Sequence, residues 1–234
     1  MLNENIDCIR YNFNNIDGKS FNNNLYELKN KTIELNNSNN MNKILTHFLT
    51  CNESIPNLVM LLFIRTDKIA NVRFNENLIM MEDVDFFIKL LSKIDKIKFV
   101  DEKLYNYVKN PDSVTHNPQK YIDIIYGILD TNKVLNEDLK KLNCIEIKRD
   151  MNTNHLKIIS NYLYYYFQNN NINFIKKTKE ISNNNIIQDL FKNYNIRSLP
   201  KNKRIFIVLL KNKFIFLLYI YILFYSKFKK KIKL

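Results

Sequence analysis

Apolar residues along the chain fall into blocks whose spacing switches from alternating to helical. Residues 6–13, IDCIRYNF, set Ile6, Cys8 and Tyr11 against polar neighbours, the alternation of a strand. Met41, Ile44, Leu45, Phe48 and Leu49 recur at steps of three and four and predict a helix over about 41–50. NLVMLLFI, at 57–64, is a continuous apolar run after Pro56, the pattern of a buried strand. Its length alone does not separate it from a short helix. Phe86, Phe87, Leu90, Leu91 and Ile94 form one face of a helix over 83–94. IKFV (97–100) and LYNYV (104–108) read as two short strands split by the polar triplet DEK. Asn117 before Pro118 opens a further helix. Its stripe is Tyr121, Ile125, Ile128, Val134 or Leu135, Leu139 and Leu142, and helical sequence continues through 154–168 and about 173–193.

Three regions result: mixed α/β over 1–118, helical over 119–200, and a greasy, basic tail over 201–234. No internal repeat links them. An apolar content of 46% supports a real core, in one domain with an appendage or in two small domains. Two glycines in 234 residues exclude the Gly-rich phosphate loops of Walker and dinucleotide-binding type. Cys8, Cys51 and Cys144 are odd in number and far apart, with neither disulfide nor zinc spacing. With no basic-then-apolar leader at Met1, they predict a reducing, cytosolic setting.

Charge changes the picture of the tail. Ten of the 36 basic residues and none of the 23 acids lie in 201–234, so residues 1–200 carry only +3 of the net +13. A nearly balanced body argues against a nucleic-acid partner, and a basic, apolar tail suits an anionic membrane surface. The 12-residue apolar block at 214–225 would span about 18 Å as a helix, short of the roughly 30 Å of a hydrocarbon core. The expectation is a monotopic anchor at the cytoplasmic face, with a single span and a buried core element as the alternatives. Residues 1–200 are then expected to be soluble without it.

Glu82 and Asp83 stand at the mouth of the 83–94 helix. An acid there caps free N–H groups and suits the helix dipole, worth about 0.5–2 kcal/mol. Their surroundings add a second reading. The stretch RFNENLIMMEDVDFFIKLLSKIDKIKFVDEKLYNYVKNPDSVT, at 73–115, resembles the second half of the catalytic domain of family 2 glycosyltransferases. The resembling features stand in family order: RF at 73–74, ED at 82–83 followed by VDFF, IKFV, LYNY at 104–107, and the NPDSVT loop. LLFIRTDKI (61–69) resembles the strand and turn before the acid pair, and IDCIRYNF the strand after the metal site.

The resemblance covers about residues 1–118 and implies a GT-A nucleotide-sugar fold with inverting transfer. It makes Asp83 the general base toward an acceptor hydroxyl and gives Glu82 an orienting or acceptor-binding role. Ser113 and Thr115 become acceptor or donor contacts, where turn chemistry is the plain alternative. His116 takes the place of a histidine on the donor's metal, where a solvated loop histidine is the plain alternative. A nucleotide-sugar donor, a glycan or lipid-linked acceptor and Mg²⁺ or Mn²⁺ are implied partners.

The chain departs from the pattern in lacking the opening strand and the DxD that holds the metal on the diphosphate. DVD at 83–85 has the letters but sits on the acid-pair helix. The expectation is a C-terminal half of such an enzyme for surface polysaccharide or lipid-linked glycan, inactive alone. A non-catalytic membrane-surface module of the same ancestry is the alternative.

Overall fold

The computed structural model describes residues 5–15, 28–49, 59–108, 117–170 and 172–232. Two compact units are built from interleaved segments, 1–111 with 133–151, and 112–132 with 152–234. Helix α4 (Tyr121–Lys141) runs through the point where the chain leaves one unit for the other. Two of the three boundaries, at 132/133 and 151/152, fall inside helices.

Unit 1 is α/β. Strands β1 (Cys8–Asn15), β2 (Thr32–Glu34), β3 (Leu62–Ile64) and β4 (Lys96–Tyr107) make a mixed sheet in the order β2-β4-β1-β3. β1 is parallel to β4 and antiparallel to β3, and β2 is antiparallel to β4. Helix α1 (Ser38–Leu49) buries Met41, Ile44, Leu45, Phe48 and Leu49, the five residues that its spacing predicts. Helix α3 (Glu82–Leu91) buries Phe86, Phe87, Leu90 and Leu91. The two helices meet where Phe48 stacks on Phe87 at 3.8 Å between ring centres. Cys8, Ile97 and Phe99 from the sheet close the same core.

Three elements differ from the pattern-based expectation. β1 does not alternate: Asp7, Arg10 and Asn12 are buried along with Ile6, Cys8, Tyr11 and Phe13. It lies between two strands, and register shifts around Asn12 turn successive side chains off a strict two-residue period. The run at 57–64 is not a buried strand. Its described part is a 3₁₀ turn (Val59–Leu61) leading into the three-residue edge strand β3, whose Phe63 is half exposed. IKFV and LYNYV are one strand, β4, because DEK sits where β4 pairs along one side only; β2 reaches no further than Lys98.

Buried charge fixes the strand ends. Asp7 Oδ2 accepts the N–H groups of Asp95 (2.7 Å) and Lys96 (3.1 Å), while Oδ1 faces Arg65 (3.4 Å) and Lys68 (3.7 Å). One carboxylate thus joins the start of β4 to the short helix α2 (Thr66–Ile69).

Unit 2 is helical. Asn117 caps the 3₁₀ turn before α4 by accepting from Gln119 N–H at 3.0 Å. α5 (Lys148–Asn169) and α6 (Phe174–Ser182) follow, and Asn184, capping Ile186 N–H, begins α7 (Asn185–Lys192). The 201–234 segment forms α8 (Lys201–Lys211) and α9 (Ile215–Ile232), and both pack on α6. Phe206, Ile207, Leu210, Ile215, Leu218 and Ile222 are buried there. The described part of this segment, 201–232, thus contributes buried side chains to unit 2. Among the described residues, no helix is long and apolar enough to cross a membrane.

Candidate functional site

The loop before α3 is shaped by local chemistry. Asn75 Oδ1 accepts from Asn77 N–H (3.2 Å) and its carbonyl from Leu78 N–H (3.1 Å), turning the chain toward the helix. Phe74, half exposed, stacks on Phe86 of α3 at 4.4 Å and 17°, pinning the loop to the helix. Met81 then occupies the left-handed region, φ 61°, ψ 27°, as the residue before the first turn. A side chain with a Cβ is strained there, and such strain concentrates at functional positions.

Asp83 is therefore not the N-cap residue. Met81 is, and its side chain makes no capping bond. Asp83 Oδ1 accepts the adjacent Val84 N–H at 2.9 Å, so it does satisfy one first-turn donor. The side chain is half-buried, and Glu82 beside it is exposed. Burial and the neighbouring Glu82 push the Asp83 carboxyl up to about 7, against the pull of the backbone N–H groups. Among the described residues no ion pair involves Asp83 or Glu82. The result is a carboxyl that exchanges its proton near neutrality from a rigid mount.

Asp85, two residues on, does something different. A helix turns about 200° over two residues, so Asp83 and Asp85 leave α3 on nearly opposite sides and do not form one metal pair. Asp85 is fully buried and bonded to Lys89 at 2.5 Å. Asp138 on α4, whose charge bears on Asp85, itself pairs with Lys141 at 2.8 Å. Burial, foremost, and Asp138 push the Asp85 carboxyl up, opposed by Lys89. This network was not anticipated from sequence. Its signal was an acid inside the apolar stretch VDFF, with a lysine four residues later.

A cavity of about 280 Å³ beside that network is lined by Asn71, Lys89, Lys93, Asp138 and Lys141 among others, and does not include Asp83. In unit 2 a smaller cavity of about 140 Å³ is walled by Tyr164, Tyr165, Tyr221 and Tyr225. Three of those hydroxyls are engaged: Tyr164 with Gln168, and Tyr221 and Tyr225 with Asn202. The tyrosine cluster of α5 serves packing, with ring contacts among Tyr121, Tyr162 and Tyr165.

Ser113, Thr115 and His116 lie outside the described residues. Among the described residues, no three His, Cys, Asp or Glu side chains converge as metal ligands. No family model, no curated relative and no solved structure matches the chain.

Proposed function

We propose that unit 1 is the acceptor-side part of a family 2, GT-A-type glycosyltransferase, and that Asp83 is its general base. The observation that supports this reading is the state of Asp83. It sits at a strained helix entrance, half-buried, outside any ion pair among the described residues, with its carboxyl pushed up to about 7. A base works best when its proton affinity lies near the working pH, and rigid mounting keeps it within reach of one hydroxyl.

In this reading Asp83 accepts the proton of an acceptor hydroxyl while that oxygen forms a bond to C1 of the donor sugar. The C1–O bond to the nucleoside diphosphate breaks on the opposite face, which inverts the centre. In this reading Glu82, exposed beside Asp83, holds acceptor hydroxyls. The leaving diphosphate needs positive charge, and the chain contains no DxD turn to gather it. The donor site in this reading comes from a separate polypeptide segment.

The test joins this chain to the nucleotide-binding half of a related enzyme and follows release of nucleoside diphosphate from a panel of nucleotide sugars with glycan acceptors. Transfer that vanishes in Asp83→Asn supports the reading. Transfer that survives the substitution removes Asp83 from it.

A further inference from the structure

Helix α9 has two faces, and among the described residues only one of them is packed. Ile215, Leu218 and Ile222 turn inward, at 7%, 0% and 1% exposure. Phe216, Leu217 and Phe224 turn outward, at 65%, 52% and 59%, with half-buried Ile220 and Leu223 between them. At 100° per residue these five fall on one stripe. Phe214, just before α9, is also 54% exposed. Lysines bracket the stripe: Lys211 and Lys213 before it and Lys227 after it, all exposed. The sequence continues with Lys229, Lys230 and Lys231, and holds no acid from 201 to 234.

We propose that this outer face of α9 lies in the surface of a bilayer bearing anionic headgroups, parallel to the membrane plane. Two features select that partner. A second copy of the chain would cover the apolar stripe but would bring lysines against lysines, whichever way the two helices ran. Nucleic acid would take the charge but leave three large apolar side chains in water. An anionic bilayer takes both, with phosphate beside the lysines and acyl chains beneath the rings.

The inner face sets the orientation. Because Ile215, Leu218 and Ile222 are committed to the core of unit 2, α9 cannot turn to cross the membrane without unfolding its own unit. The surface is thus one face of a packed helix, where the sequence pattern had suggested a detachable anchor. The proposal is independent of the role of Asp83.

Full-length protein is tested against vesicles of neutral phosphatidylcholine and vesicles containing phosphatidylserine. The chain has no tryptophan, so Phe216→Trp supplies a single reporter on the proposed face. The expected result is co-sedimentation with the anionic vesicles that weakens with salt, together with a blue-shifted Trp emission quenched by brominated acyl chains. Combined Phe216→Ser, Leu217→Ser and Phe224→Ser, at exposed positions and with unchanged circular dichroism, should lower binding by roughly tenfold or more. Three results overturn the proposal. One is no binding to anionic vesicles; another is a triple variant that binds like the parent. The third is a parent that is dimeric by light scattering and a variant that is monomeric, which gives the face to a second copy.

Discussion

The two units solve the same burial problem with different polar groups. Every charged side chain buried among the described residues belongs to unit 1: Asp7, Arg10, Asp85 and Asp138. Unit 2 buries only neutral groups, among them Asn132, Asn152, Asn154, Thr178, Ser182 and His155. A buried charge needs a partner or a shifted proton affinity, and unit 1 uses both. Asp7 is held by two N–H groups and two cations, Asp85 by Lys89, and burial draws the Arg10 guanidinium down to about 10. Unit 2 closes its polar interior with amides: Asn132 Nδ2 donates to Asn152 Oδ1 at 3.1 Å and lies 2.8 Å from His155 Nδ1. Unit 1 is thus built to hold protons in place, and unit 2 to keep charge on its surface. pH should act on the two in opposite senses.

The largest expected effect tests the integrity of unit 2. Deleting residues 201–234 removes, among the described residues, six buried apolar side chains. It should abolish cooperative unfolding of that unit and expose it to protease while leaving the sheet of unit 1 folded. Leu218→Ala, at 0% exposure, is the milder version, with a cost of about 2–5 kcal/mol. Chemical denaturation followed by circular dichroism reads both. A soluble, monodisperse 1–200 with a sharp transition would restore the appendage view of the tail.

The next effect concerns unit 1. With a donor half supplied, Asp83→Asn should lower turnover by about 10²–10⁴ and leave nucleotide affinity unchanged, because a base acts on the acceptor's proton. The rate of the parent should fall as pH drops below about 7, where the carboxyl takes up its proton. A rate that stays flat from about pH 8 to 5 would exclude Asp83 as that base.

Sequence pattern served local structure well and long-range pairing poorly. The buried face of α1 was legible because helical spacing is a local property, and so was the stripe of α3. The edge placement of β3 and the continuity of β4 depend on which strand lies alongside, and no residue in either run reports its neighbour. At the candidate site, the acid pair was visible as letters. What sequence could not supply was Met81 as the actual helix entrance, nor the division of labour in Asp83-Val84-Asp85. The tail shows a related limit of pattern. Apolar and basic residues in one segment suit a lipid surface, but the pattern does not say that half of the apolar set is already committed to a protein core.

A smaller effect separates the units by pH. His155 is fully buried, and burial draws its imidazole down to about 4. Its folded value lies below its unfolded one, so the unfolded chain binds the extra proton between about 6.5 and 4, and unit 2 loses stability as pH falls through that window. The loss should be on the order of 2–3 kcal/mol from about pH 7 to 4.5. His155→Gln, which keeps an acceptor for Asn132, should flatten this dependence even where packing lowers stability overall. Hydrogen exchange of α5 amides against pH checks it. An unchanged slope in the variant would show that His155 does not set the acid response of unit 2.

The smallest effect runs the other way and returns to Asp83. Its folded carboxyl stands at about 7, above the ordinary 3.8, so between those values the folded state keeps a proton that the unfolded chain has released. The sign follows from linkage: this group favours folding at low pH, and that contribution is lost as pH rises through about 7. Asn carries no charge to desolvate, so Asp83→Asn should raise Tm by about 2–4 °C near pH 8 and change it little near pH 5. The gain is small because the side chain is only half-buried and solvent screens part of the cost. A pure helix-capping role predicts the reverse, since losing the acceptor for Val84 N–H would lower Tm most where the carboxylate is ionised. Thermal melts of parent and variant at the two pH values therefore decide between an acid kept for chemistry at a cost in stability and an acid kept for the helix.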